Sequence, residues 1–156
     1  MSDLTLHRVI SSEQETRDLA TRLTTLVRPG DVIALEGDLG AGKTVFARAF
    51  VTALGGGEEV PSPTFTLVQT YDCASGPIHH FDLYRLNFPE DSFELGLEEL
   101  LPDGISLIEW PDRLGPYMPR DHLTIRMIEN SPTSRVVEAV GAGDWVQRLN
   151  DLKELF

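Results

Sequence analysis

The stretch Gly37-Asp38-Leu39-Gly40-Ala41-Gly42-Lys43-Thr44 fits the pattern G-x-x-x-x-G-K-[ST]. Each residue type has a physical reason for its place. Glycines let successive backbone N–H groups turn inward and approach phosphate oxygens as an anion-binding nest. Lys43 supplies a mobile positive charge to the β- and γ-phosphates, and the Thr44 hydroxyl can ligate Mg²⁺. A helix starting there aims the positive end of its dipole at the same phosphates. The chain has 13 glycines but only two lysines, Lys43 and Lys153. With that composition a chance match would arise about twice in a thousand shuffles. The stretch is therefore read as a phosphate-binding loop, with Asp38, Leu39, Gly40, Ala41, Gly42, Lys43, Thr44 and Val45 as the nucleotide contacts.

Both flanks fit that reading. Val32-Ile33-Ala34-Leu35 is a short apolar run suited to a strand buried on both faces. Thr44 to Leu54 reads as a helix ended by Gly55-Gly56-Gly57. Upstream, Leu4 to Ile10 reads as a short strand. Ser12-Glu13-Gln14-Glu15 has capping-box spacing ahead of an amphipathic helix over 13–27, which Pro29-Gly30 breaks. Downstream, strands are predicted at Phe65–Tyr71, Ile78–Asp82, Ile105–Glu109, Leu123–Ile128 and Arg135–Val140. A turn is predicted at Ala74-Ser75-Gly76-Pro77. Phe93, Leu97, Leu100 and Leu101 recur at helical spacing within Pro89–Leu101, and Trp145–Leu155 reads as a closing helix. This alternation predicts an α/β three-layer fold of the P-loop NTPase type, with a mainly parallel central sheet and antiparallel flanking strands.

The chain's 156 residues suit a single domain, 1–156, and 41 % apolar residues can supply its core. One cysteine, Cys73, cannot form an internal disulfide and has no redox or zinc partner in the pattern. Neither a secretory signal nor a spanning apolar run is visible, so the expectation is a soluble cytoplasmic protein. The formal net charge is −12, and Glu90 to Asp103 holds six acids and no base. Such a field opposes direct nucleic-acid binding, which depends on neutralising phosphates.

Guanine-specific phosphate-loop proteins carry an N-K-x-D element. Lys153, in Asn150-Asp151-Leu152-Lys153, does not provide it, which favours ATP over GTP. Bound Mg²⁺ needs a second anchor, usually an Asp closing a neighbouring strand. Asp82 closes Ile78-His79-His80-Phe81-Asp82, and Glu109 closes Ile105–Glu109. Two acids ending parallel strands meet at the edge where α/β ligands bind. Asp82 is read as a metal ligand, and Glu109 as the holder of a metal-bound or attacking water. His79 and His80 fall on opposite strand faces, so they cannot share one ion and read as packed strand histidines. Pro61-Ser62-Pro63-Thr64 stiffens the approach to Thr64, which stands where such proteins place a γ-phosphate-sensing threonine. Arg85, Arg113 and Arg120 cannot be ranked as catalytic arginines from sequence.

Four blocks occur in order: Gly37 to Thr44, Ser62-Pro63-Thr64-Phe65-Thr66-Leu67-Val68, His80-Phe81-Asp82-Leu83-Tyr84-Arg85-Leu86 and Ile108-Glu109-Trp110-Pro111. Together they resemble the bacterial TsaE (YjeE) ATPases over roughly residues 10–130. The resemblance implies a weak, partner-dependent ATPase in threonylcarbamoyladenosine modification of tRNA. It would work with a TsaB–TsaD complex without transferring the group itself, and would meet tRNA only indirectly. It further implies that Lys43 and Thr44 bind phosphate and Mg²⁺, that Thr64 lies in a switch-like segment, and that Asp82 and Glu109 form the metal and hydrolysis centre. Trp110 would adjoin the nucleotide. From the residues alone, a small-molecule kinase and a non-catalytic nucleotide-gated switch remain alternatives.

Overall fold

The computed structural model describes residues 4–38, 42–56 and 67–154. Its strands are β1 (Leu4–Ile10), β2 (Val32–Glu36), β3 (Val68–Cys73), β4 (Gly76–Asp82), β5 (Ile105–Glu109), β6 (His122–Ser131) and β7 (Ser134–Ala142). They form one seven-stranded sheet in the order β1-β7-β6-β2-β5-β4-β3. The four central strands, β6-β2-β5-β4, are parallel, whereas β7 and β1 at one side and β3 at the other run antiparallel to their neighbours. The predicted mixed α/β architecture is what the chain adopts.

The helices are α1 (Glu13–Leu23), α2 (Lys43–Ala53), α3 (Leu97–Asp103) and α4 (Trp145–Leu152). Strand alternation sorts the apolar residues onto two faces. Ile33 and Leu35 of β2 and Leu107 of β5 pack with Leu19, Phe46, Phe50 and Trp145 of α1, α2 and α4. Val32 of β2 and Ile108 of β5 pack on the other face with Phe81, Leu83, Leu97 and Leu114. β2 and β5 are covered on both sides, which explains the unbroken apolar run of β2 and the burial of every residue of β5.

The structure differs locally from the sequence reading in several places. The helix over 13–27 stops at Leu23. The Thr24 and Thr25 hydroxyls bond back to the carbonyls of Thr21 and Arg22 and compete with further winding. Its capping box is offset by one residue. Ser12 Oγ accepts from the Glu15 N–H as expected, but the Glu15 carboxylate accepts from Ser11 N–H. The helical spacing at Pro89–Leu101 divides into a 3₁₀ helix, Pro89–Leu95, and α3, because Gly96 takes a left-handed φ of 78° between them. β3 runs from Val68 to Cys73, ending two residues beyond the predicted end, with Phe65 and Thr66 outside the described residues, and β4 begins at Gly76, leaving Ala74-Ser75 as the turn.

The C-terminal helix has a mechanical task. Arg148 of α4 grips both carboxylate oxygens of Asp31, just before β2, at 2.8 Å each. It also donates to the Leu26 carbonyl at 2.6 Å and lies 3.7 Å over the Trp145 ring. Asp31 additionally accepts from Arg28 N–H at 2.9 Å. The root of the strand feeding the phosphate loop is thus tied to the end of the chain.

Candidate active site

β2, β4 and β5 are parallel, so their carboxyl ends share one edge of the sheet, where open α/β sheets bind ligands. Register fixes which residues meet there. Asp82 pairs with Glu109 across β4 and β5, and Glu109 pairs with Leu35 across β5 and β2. The loop leaving β2 therefore starts beside both acids. At its far end Gly42, at φ 111°, caps α2 in a left-handed conformation that a side chain would strain. Lys43 follows as the first residue of α2.

Lys43 is 5 % exposed, and its Nζ finds no hydrogen-bond acceptor among the described residues. The ammonium lies 3.9 Å over the Trp110 ring. Burial pushes its pKa below the usual lysine value, and the charges of Glu109, Asp82, Asp38 and Asp112 oppose that shift without overcoming it. A buried cation whose donors go unmet is a site prepared for an anion. Two of the neighbouring acids are well buried. Asp82 accepts from Tyr84 N–H at 3.2 Å, and its own N–H donates to the Leu67 carbonyl at 2.9 Å. Glu109 is 6 % exposed and accepts from His80 Nε2 at 2.7 Å.

The backbone around these acids is strained. Leu67 (φ 65°) and Trp110 (φ 58°) are the non-glycine residues with left-handed φ among those described. Leu67 supplies the carbonyl that fixes Asp82, and Trp110 directly follows Glu109. Trp110 also precedes Pro111, which makes a helical backbone still less favourable. Packing against the Tyr84 ring, with centroids 5.0 Å apart, helps hold it. Such outliers persist where the surrounding structure over-determines them.

Gly42, Lys43, Thr44, Val45, Asp82, Glu109 and Trp110 line a single cleft of about 760 Å³. Its volume lies within the range of about 300–1,000 Å³ typical of small-molecule sites. The cleft extends past Ser12 and Thr16 to the β6–β7 turn at Pro132 and Thr133 and to Arg135 of β7.

A family model described as "Threonylcarbamoyl adenosine biosynthesis protein TsaE" matches residues 10–137. The chain belongs to the TsaE family. A Bacillus subtilis relative carrying the name "tRNA threonylcarbamoyladenosine biosynthesis protein TsaE" is 35 % identical over 137 residues, covering 87 % of this chain and 85 % of that protein. A relative of the same name from Rickettsia conorii is 46 % identical over 104 residues, 66 % of this chain. There the match spans 59 % of the relative's length. Among solved structures, the crystal structure of Bacillus subtilis YdiB superposes with a TM-score of 0.81 at 29 % identity, covering 99 % of this chain and 96 % of that one.

In this TsaE-family chain the expected site residues divide into three groups. Seven converge on the main cleft. Asp38 lies on an adjoining cleft of about 330 Å³ that also touches Trp110, together with Asp112 and Arg126. Leu39, Gly40, Ala41 and Thr64 lie outside the described residues. Of Arg85, Arg113 and Arg120, Arg85 borders the main cleft. Cys73 ends β3, and burial, with Asp72 adding to it, raises its thiol pKa, which suits an unreactive side chain.

His79 and His80 occupy opposite faces, as alternation requires. His79 is bonded at both nitrogens, Nδ1 to Thr70 Oγ1 at 2.9 Å and Nε2 to Asp103 at 3.0 Å. His80 reaches Glu109 instead. Sequence reasoning had treated the two alike, because the β4–β5 register that separates their roles is not visible in a single chain.

The donors suit a nucleotide with Mg²⁺. Among the described residues no three His, Cys, Asp or Glu side chains converge as a ready-made metal cage. Mg²⁺ characteristically takes one or two carboxylates and completes its shell with water and substrate phosphates, so the Thr44 hydroxyl and the Asp82 carboxylate fit it.

Proposed function

We propose that this chain binds and hydrolyses ATP, and that this activity supports threonylcarbamoyladenosine modification of tRNA in concert with a TsaB–TsaD-type complex. The chain itself does not transfer the threonylcarbamoyl group. The observation that carries the nucleotide reading is the buried Lys43 ammonium, unmatched by any described acceptor, at the N-terminus of α2. The family description supports the tRNA pathway.

Catalysis on this reading is positioning plus charge neutralisation. The loop N–H groups and Lys43 hold the phosphate oxygens, and the α2 dipole favours their charge. Mg²⁺, held by Thr44 and Asp82, would neutralise charge developing on those oxygens. Glu109 orients the attacking water and accepts its proton. Isolated turnover is slow, and the partner complex raises it. The net charge of −12 is consistent with a protein that leaves tRNA contact to its partners in the cytoplasm.

Two measurements test this. The isolated chain, then the chain with TsaB–TsaD, is assayed for free phosphate from ATP. Equal turnover in both would sink partner dependence, and a phosphorylated metabolite in place of free phosphate would make the protein a kinase. Depletion of the protein should remove threonylcarbamoyladenosine from tRNA nucleosides by mass analysis, and its persistence would refute the pathway assignment. Glu109→Gln is expected to slow phosphate release by about 10²–10⁴-fold with ATP affinity retained, because a proton acceptor is lost while shape is kept. If modification then continues at the wild-type level, nucleotide binding alone is the working step.

A further inference from the structure

We propose that His80 is a positioning residue for Glu109, a role that rests on the ATPase reading above and deepens it. In the β4–β5 register His80 sits opposite Leu107, so Glu109 is its diagonal neighbour on the same sheet face. The two side chains meet at 2.7 Å and are 3 % and 7 % exposed. An ionised carboxylate only accepts, so Nε2 carries the hydrogen and donates it to Oε2. This bond fixes the carboxylate's rotation and occupies Oε2. Oε1 is left to accept from a water in the cleft that Glu109 lines.

His79 provides an internal comparison. It sits on the same strand, is equally buried, and satisfies both ring nitrogens with Thr70 and Asp103, as a histidine kept for structure does. His80 Nδ1, by contrast, is buried with no partner among the described residues. A polar ring that leaves one nitrogen unmet costs more at this position than an apolar side chain would. The bond to Glu109 is the feature that accounts for a histidine here. The arrangement matches the way outer-shell hydrogen bonds orient groups that act on substrate, whose removal typically lowers function about 10–100-fold.

The test uses the full chain with the TsaB–TsaD complex and compares His80→Leu with His80→Gln. The glutamine amide Nε2 can donate from nearly the place of the imidazole Nε2, whereas leucine cannot. His80→Leu is expected to lower kcat about 10–100-fold. Its KM, and its Kd for a non-hydrolysable ATP analogue, should stay within about twofold of wild type. His80→Gln should recover most of kcat. If His80→Leu shows no cooperative melt, His80→Asn replaces it, since that amide is too short to reach Glu109 and should remain slow while His80→Gln is active. A wild-type kcat in His80→Leu overturns the positioning role and leaves the ATPase reading intact. Equal losses in the apolar and glutamine variants reduce His80 to packing and overturn it too. Absence of phosphate release by the wild-type protein with its partners overturns the ATPase reading and the positioning role with it.

Discussion

Lys43→Met should weaken ATP binding about 10–100-fold without destabilising the nucleotide-free chain. Two effects compete at this residue. The four nearby acids, Glu109 first among them, favour the ammonium, whereas burial disfavours it, and the lowered pKa shows that burial wins. In the nucleotide-free chain the charge is therefore a burden, and methionine keeps an unbranched apolar stem while removing it. On the proposed reading the sign reverses with nucleotide bound, because the same ammonium would then meet phosphate oxygens. A charge-assisted hydrogen bond contributes about 1.5–3 kcal/mol, so ATP affinity should fall about 10–100-fold. Loss of a donor aimed at developing negative charge should lower kcat about 10²–10³-fold more. Calorimetric titration and a thermal melt read the two halves separately. A variant that melts well below wild type would show that the lysine stabilises the fold, and unchanged ATP affinity would remove it from the phosphate site.

Arg148→Ala should be the most damaging change away from the cleft. The guanidinium makes a two-pronged contact with Asp31, donates to the Leu26 carbonyl and stacks on Trp145, with side chains only 16 % and 10 % exposed in the ion pair. Removing it leaves the Asp31 charge half-satisfied and bares the Trp145 ring. Breaking a buried pair from one side costs about 3–5 kcal/mol. Taking 3 kcal/mol, a chain of this size should melt about 6–12 °C lower. Arg148→Lys should recover less than half of this, because an ammonium cannot span two carboxylate oxygens while stacking on indole. Urea unfolding at fixed pH measures the change. A loss under about 1 kcal/mol would place this clamp among ordinary surface ion pairs.

What could be read in the sequence was what is local. The phosphate loop is one continuous pattern, and the strand before it and the helix after it follow from uninterrupted apolar periodicity. Asp82 and Glu109 could be nominated because each ends a predicted strand, and their adjacency follows once the two strands are neighbours. Features that depend on register or on distant partners were not legible. The His80–Glu109 bond joins residues 29 apart, and the Arg148–Asp31 clamp joins residues 117 apart. Nor does a composition rule foresee a tryptophan with a left-handed backbone. It accompanies the Pro111 turn and the contacts of the ring with Tyr84 and Lys43. The division of the acidic stretch at Gly96 was missed because spacing alone does not distinguish one helix from two short ones in near register.

The two tryptophans make the molecule its own optical instrument. Each indole has a cation against its face, Lys43 on Trp110 and Arg148 on Trp145. Trp110 borders the cleft, whereas Trp145 is 1 % exposed within the apolar layer beneath α4. On the proposed ATPase reading, nucleotide arriving at Lys43 would draw the ammonium away from one indole and leave the other untouched. Emission from Trp110 should therefore change on ATP binding even in Trp145→Phe, and vanish as a signal in Trp110→Phe. Denaturant should alter emission from Trp145 when α4 lifts from the root of β2. Occupancy of the cleft and integrity of its anchor can thus be followed separately in the two single-tryptophan variants, with no label attached.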